Sequence, residues 1–259
     1  MRASGSLTSR ILPPVLVLAG VLVIWDLYVR VTHTPDFLLP MPTAVIRSLF
    51  TDRRLLSSLG WTALAALSGF VASGVFGVLI AIALSASPIL RRAFFPYTLF
   101  FQTVPIVAIA PMLLFWLTPG LEPVVLCAFI VSVFPVIANT LAGLMATDPA
   151  LIDLFRLYGA RPLAGLWKLR LPSALPGIFT GLRIAAGLSV IGTIVAEFLV
   201  GQIVGEVGLG VRVVGGIHDS HMDEVFAAAI LASLLGLAMF GAVNLAAHLT
   251  LRRWHASER

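Results

Sequence analysis

The sequence predicts an all-α protein that crosses a lipid bilayer six times, and three observations carry that prediction. Of its 259 residues, 59% are hydrophobic and 11% charged, where a soluble domain carries about 25% charged residues. Mean hydropathy is +1.03. The apolar residues gather in six runs, 11–31, 58–85, 94–117, 121–145, 177–200 and 225–251, each near the ~20 residues a helix needs to span the hydrocarbon core. Helix is the expected form because a lipid-exposed segment must satisfy its own backbone hydrogen bonds.

The first run follows Arg2 and Arg10, as the apolar stretch of a signal peptide would. It is long for one, and Trp25, Asp26 and Tyr28 stand where small residues would mark cleavage, so a retained span is expected. Pro42 to Leu56 has the character of an amphipathic segment in the membrane interface, its Arg47, Arg53 and Arg54 lying on the side poorer in basic residues. The chain accordingly divides into an N-terminal part, 1–57, and a core of five spans, 58–259.

The second run places Ala65, Gly69, Ser73, Gly77, Ala81 and Ser85 four residues apart. Such a stripe admits a close helix backbone, either within the chain or from a second copy. The third run holds Pro96, Pro105 and Pro111 beside Gln102 and Thr103, and the fourth holds Pro135 and Asn139. An internal proline removes a helix hydrogen bond and bends the helix. Carbonyls freed at membrane depth are tolerated against protein or a water-filled cavity. These positions are therefore either packing kinks or the lining of a path, with Gln102, Thr103, Pro105, Pro111 and Asn139 as its candidates. The fifth run is flanked by Arg183 and Glu197, 14 residues apart, or about 21 Å of helix, too far to pair. Arg183 is within reach of head groups. Glu197 needs water or a partner near the outer mouth, and three roles fit it: path or gate, pairing between helices, or plain exposure.

Charge orients the spans. With the N-terminus inside, Arg91, Arg92, Arg156, Arg161, Lys168, Arg170, Arg252 and Arg253 fall on the cytoplasmic side, while Glu122, Glu206, Asp219, Asp223 and Glu224 collect outside. The positive-inside rule favours that arrangement, both termini cytoplasmic. It places 147–176 in the cytoplasm. There, Thr147 and Asp148 suit a helix N-cap and Pro149 its first position. Leu151, Leu154, Phe155 and Tyr158 form an apolar stripe, and Gly159 sits where a left-handed residue ends a helix.

This loop resembles the cytoplasmic loop of permease subunits of binding-protein-dependent ABC importers. In that family Glu-Ala-Ala is followed by three residues, Gly, nine residues and Ile-x-Leu-Pro. Here Asp153-Leu154-Phe155 is followed by three residues, Gly159, nine residues and Leu169-Arg170-Leu171-Pro172; the spacing is kept and the Glu-Ala-Ala is not. Leu39-Pro40-Met41-Pro42, Val104-Pro105, Ala110-Pro111, Gly181-Leu182-Arg183, Ala196-Glu197-Phe198 and Gly208-Leu209-Gly210 resemble the nitrate/sulfonate/taurine branch, so the likeness runs from Leu39 to Gly216. The resemblance implies a type I ABC importer permease-like fold, a homodimer in the bacterial inner membrane, a separate ATPase under each copy and an extracytoplasmic binding protein. It implies ATPase coupling through Asp153, Phe155, Arg156, Tyr158, Gly159, Leu171 and Pro172, and a path through the third to fifth spans that includes Glu197.

The remaining motifs narrow the function. G-x-x-x-x-G-K-[ST] is absent, so any ATP is bound by another polypeptide and no cofactor is expected here. With no H-E-x-x-H and no G-x-S-x-G either, an enzyme is not expected. His218-Asp219-Ser220-His221-Met222-Asp223-Glu224 has zinc-ligating residue types, but an outer loop with Ser220 or Asp223 as N-cap is the expectation, and no metal. Gly205 to Gly210 lacks a preceding strand and is expected to be a turn. Lone Cys127 is expected to be buried and inert. The apolar, aromatic stretch Gln102 to Trp116 favours a small organic or heterocyclic solute over sulfonate, taurine or nitrate. An ion-coupled secondary transporter is the rival class, with Glu197 as its slender support.

Overall fold

A computed structural model describes residues 7–103, 105–117, 120–204 and 208–252. The chain is helical, with no strand among the described residues. The first helix, α1 (Leu7–Thr32), stands almost free of the others; its Trp25 ring lies 5.4 Å from Phe226. The interfacial segment is a helix, α2 (Pro42–Thr51), that buries Val45. The Ser48 hydroxyl donates to Asp223 (2.5 Å), fixing α2 to the start of the last helix.

Helix α3 (Arg53–Ala86) opens on Asp52, whose carboxylate accepts the Arg54 N–H at 2.8 Å. It therefore begins before the predicted run, and the division placed at 57/58 falls inside it. Its small-residue stripe is buried within the chain. A Cβ on Gly69 would lie 2.5 Å from Ala128, and one on Gly77 2.8 Å from Val136. Both neighbours belong to α6 (Leu121–Met145), so of the two readings of the stripe the packed one holds.

The predicted third span is corrected by the structure. Run 94–117 is two helices, α4 (Pro88–Thr103) and α5 (Ile106–Trp116). Pro105 stands at the α5 N-cap with φ −69° and ψ 110°; it has no N–H with which to continue the ladder from α4. Among the described residues, five helices are by themselves long and apolar enough to cross a membrane.

Helix α6 forms the centre, with α3 on one side and α9 (Leu171–Val204) on the other. The α6–α9 seam depends on Gly177 and Gly181, where a Cβ would come 2.6 Å from the Asn139 carbonyl oxygen and 2.8 Å from that of Pro135. Small residues at this spacing let two spanning backbones come close. A short α10 (Leu209–His218) follows where the Gly-rich turn was expected, and α11 (Met222–Leu251) returns along α9. Residues 205–207 lie outside the described ones. Ser220 adopts a left-handed φ of 59° and His221 occupies the N-cap of α11 without a side-chain cap. The expected cap, Ser220 or Asp223, is thus replaced; Asp223 instead meets Ser48. Cys127 is fully buried.

Candidate functional site

The loop 147–176 forms a small projecting unit. Helix α7 (Pro149–Leu157) starts with the Asp148 carboxylate accepting the Ala150 N–H at 2.9 Å, with Pro149 in the first turn. It ends at Gly159, whose φ is +68°. The Gly159 N–H donates to the Arg156 carbonyl (2.9 Å) and the Ala160 N–H to that of Phe155 (3.0 Å). That bond pair is a Schellman turn, which satisfies carbonyls the helix end leaves open. No residue of α7 is buried.

The apolar side chains of α7 divide between two faces. Ile152 and Phe155 turn towards Gly165 and Leu169, enclosing a cavity of about 210 Å³. Leu154 is exposed, and Leu157 and Tyr158 are 85% and 84% exposed. The predicted stripe therefore mixes an inward residue, Phe155, with outward Leu151, Leu154 and Tyr158. Arg156 lies 3.4 Å from Asp153, an exposed pair that contributes little to stability.

Beyond Gly159 the chain enters a continuous helix made of α8 (Pro162–Gly165), a π turn (Leu166–Arg170) and α9. The π turn has a local cause. Pro172 offers no N–H to the Lys168 carbonyl, and its ring crowds that oxygen. The widened turn before it closes instead on Leu171 N–H to Leu166 O. Leu171 and Pro172 thus lie at the joint between the loop and the spanning part of α9. Arg170 and Thr147 both donate to the Leu144 carbonyl (3.4 and 3.2 Å), tying this joint to the end of α6. Basic side chains suit a helix C-terminus.

The path candidates do not converge within one chain. Gln102, Thr103 and Pro105 are exposed at the α4–α5 break, and the Thr103 hydroxyl donates to Phe100 O. Pro111 is half-buried within α5. Asn139 lies in the α6–α9 seam and donates to Pro135 O at 2.8 Å. Glu197 is 2% exposed. It stands 16 residues along α9 from Gly181, about 24 Å from the Asn139 seam.

Glu197 takes the pairing role among the three open to it. The Thr62 hydroxyl donates to both its oxygens (2.8 and 3.0 Å), and the Gly210 N–H donates to Oε2 at 2.8 Å. Thr62 in turn accepts the Leu209 N–H at 2.9 Å. The carboxylate thereby closes the N-terminus of α10, where unpaired N–H groups and the helix dipole favour an anion. Three helices, α3, α9 and α10, meet on one buried acid.

Comparison with known proteins agrees with this architecture. Residues 73–252 match the family described as binding-protein-dependent transport system inner membrane component. The chain belongs to that family. A probable ABC transporter permease protein of Haemophilus influenzae is 32% identical, over 92% of this chain and 96% of that one. The formylaminopyrimidine transport permease protein of Halalkalibacterium halodurans is 32% identical, over 90% and 92%. A chain in the crystal structure of an amino acid ABC transporter with histidines has 18% identity and a TM-score of 0.55, over 77% of this permease and 94% of that chain; this likeness concerns the fold. The protein is an integral membrane permease subunit of an ABC importer, with the type I permease fold.

Thr62 was not among the residues singled out from the sequence. A hydroxyl inside an apolar run resembles any Thr bonded to its own helix, as Thr193 is to Ser189 O. Gly208 and Gly210 stand in a visible motif, but their contact with Glu197 needs the fold.

Proposed function

We propose that this permease works as a homodimer in the bacterial inner membrane and imports a small organic, heterocyclic solute delivered by an extracytoplasmic binding protein. A separate ATPase docks on α7 from the cytoplasm, with both chain termini on that side. The observation that carries the reading is the capped, projecting α7 with its exposed Leu157 and Tyr158, joined to one continuous helix that runs from Pro162 to Val204. An apolar tip on a short helix fits a groove in a partner. The loop carries Arg156, Arg161, Lys168 and Arg170 against Asp148 and Asp153, so an acidic groove complements it. Closure of two ATPases pushes α7, and the push reaches α9 through Leu171 and Pro172. Gln102, Thr103 and Pro105 at the α4–α5 break, with Pro111 within α5, face the path between the two copies. The heterocyclic solute is supported by the formylaminopyrimidine relative and by the apolar character of Gln102 to Trp116.

The experiment is purification of the tagged permease with its genomic neighbours expressed together, then uptake of labelled formylaminopyrimidine by proteoliposomes. The expected result is a co-purifying ATPase and ATP-dependent uptake that unlabelled pyrimidines compete away and taurine or nitrate do not. Uptake driven by a proton or sodium gradient without any ATPase would overturn the reading. ATP-dependent uptake of taurine or nitrate alone would overturn the solute class.

A further inference from the structure

We propose that the groove between α9 and α11 seats an anionic phospholipid of the cytoplasmic leaflet, its phosphate held at Arg183 and Arg252 and an acyl chain in the apolar trough beyond them. The head end is an open cavity of about 530 Å³ lined by Arg183, Asn244, Ala247, His248, Leu251 and Arg252. It contains two permanent cations, an amide and an imidazole, and no acid. The Nε of Arg183 is buried without a hydrogen-bond partner. Neither arginine belongs to an ion pair among the described residues. A guanidinium forks onto phosphate oxygens through paired N–H donors, and basic pockets between spanning helices on the cytoplasmic side suit phosphate head groups.

The tail end lies on the same two helices. A second cavity, about 380 Å³, is lined by Gly187, Ile194 and Phe198 on α9 and by Ala229, Ala232 and Gly236 on α11, with Val213 of α10 at its edge. Arg183, Gly187, Ile191, Ile194 and Phe198 follow one another at i, i+4, i+8, i+11 and i+15, a single face of α9. From first to last they cover about 22 Å of helix, beyond the ~15 Å depth of one leaflet's hydrocarbon. A Cβ on Gly187 or Gly236 would meet nothing within 4 Å, so the glycines leave an open trough and not a helix contact. A charged cavity at one end and an apolar channel at the other fit a phospholipid. The second copy's α1 fits less well, because Arg2 and Arg10 at its cytoplasmic end repeat the sign of the cavity. The assignment of the leaflet rests on the cytoplasmic orientation proposed above, which thiol labelling tests separately.

The test uses the full-length permease, delipidated in detergent and titrated in native mass spectrometry with phosphatidylglycerol, with phosphatidylethanolamine, and with inorganic phosphate as competitor. The expected result is selective retention of phosphatidylglycerol, weakened about tenfold or more in Arg183→Gln/Arg252→Gln by loss of charge-assisted bonds. Should that variant fail to fold, Gly236→Leu separates the ends: it should weaken long-chain phosphatidylglycerol and leave the dihexanoyl form unchanged. Equal phosphatidylglycerol binding by wild type and both variants would overturn the proposal. So would phosphate displacing the lipid at equal concentration regardless of chain length, which assigns the cavity to free phosphate. A disulfide between two copies through Gly236→Cys would overturn it as well, since the trough would then belong to the second copy.

Discussion

Thr62 and Glu197 are 135 residues apart in sequence and share a hydroxyl hydrogen at 2.8 and 3.0 Å in the protein interior. The same hydroxyl donates to the acid and accepts the Leu209 N–H. Glu197 is therefore the hub through which α3 and α9 position α10.

Removing either partner should be felt in stability first. Thr62→Val leaves the Leu209 N–H unpaired, and Glu197→Ala leaves the Gly210 N–H and the Thr62 O–H without an acceptor; each buried orphan costs about 1–3 kcal/mol. Thr62→Ser and Glu197→Gln keep most of the bonds and should be milder. Thermal unfolding in detergent, read by tryptophan fluorescence, should rank Glu197→Ala lowest. Equal midpoints for all four would remove the hub from the fold.

The two glycines beside the acid separate contact from backbone. The three atoms nearest a Cβ on Gly208 all belong to the Glu197 carboxylate, whereas a Cβ on Gly210 would also lie 2.7 Å from the Ile194 carbonyl oxygen. Gly208→Ala should therefore be partly rescued by Glu197→Ala, and Gly210→Ala should not. Membrane abundance and uptake of the four variants check this; rescue of both, or of neither, contradicts the geometry.

Gly159 isolates the loop from the bundle. Its φ is +68° and a Cβ would meet no atom within 4 Å, so the penalty of substitution is the left-handed backbone alone, roughly 1–2 kcal/mol. Gly159→Ala should reduce ATPase stimulation, Gly159→Val should reduce it further, and Gly159→Asn should retain most of it. All three should reach the membrane at wild-type level. Full stimulation in Gly159→Val would detach α7 from coupling.

Orientation is checked with single cysteines in a Cys127→Ala background. Leu163 and Asp219 are both exposed on opposite sides of the proposed topology. Asp219→Cys should react with an impermeant thiol reagent in intact cells, and Leu163→Cys only after the membrane is opened. The reverse pattern would invert the chain.

The sequence made α7 legible because each signal there is local. Asp148, Pro149 and Gly159 act within five residues of themselves, and their roles follow from cap chemistry. Run 94–117 misled because hydropathy counts Pro105 as one residue among many, while for the backbone it is a missing donor. Helix α10 was hidden for a related reason. Gly208 and Gly210 look like turn residues until Glu197 arrives from another helix to close the N-terminus. The use of the α3 stripe was open for want of a partner, which only α6 in place could supply.

The π turn at Leu166–Arg170 sets an angle as well as a link. Each residue of an α-helix advances the chain by about 100° around its axis, and a π turn holds one residue more than the α-helical ladder would. The azimuth at which α7 leaves the long helix is thus fixed by that extra residue together with Pro172. Deleting one residue from this stretch would keep helix, charge and hydrophobicity nearly intact, yet swing Tyr158 about a quarter turn away from its present bearing. For coupling through α7, the length between Gly159 and Pro172 should then matter more than the identity of the side chains it contains.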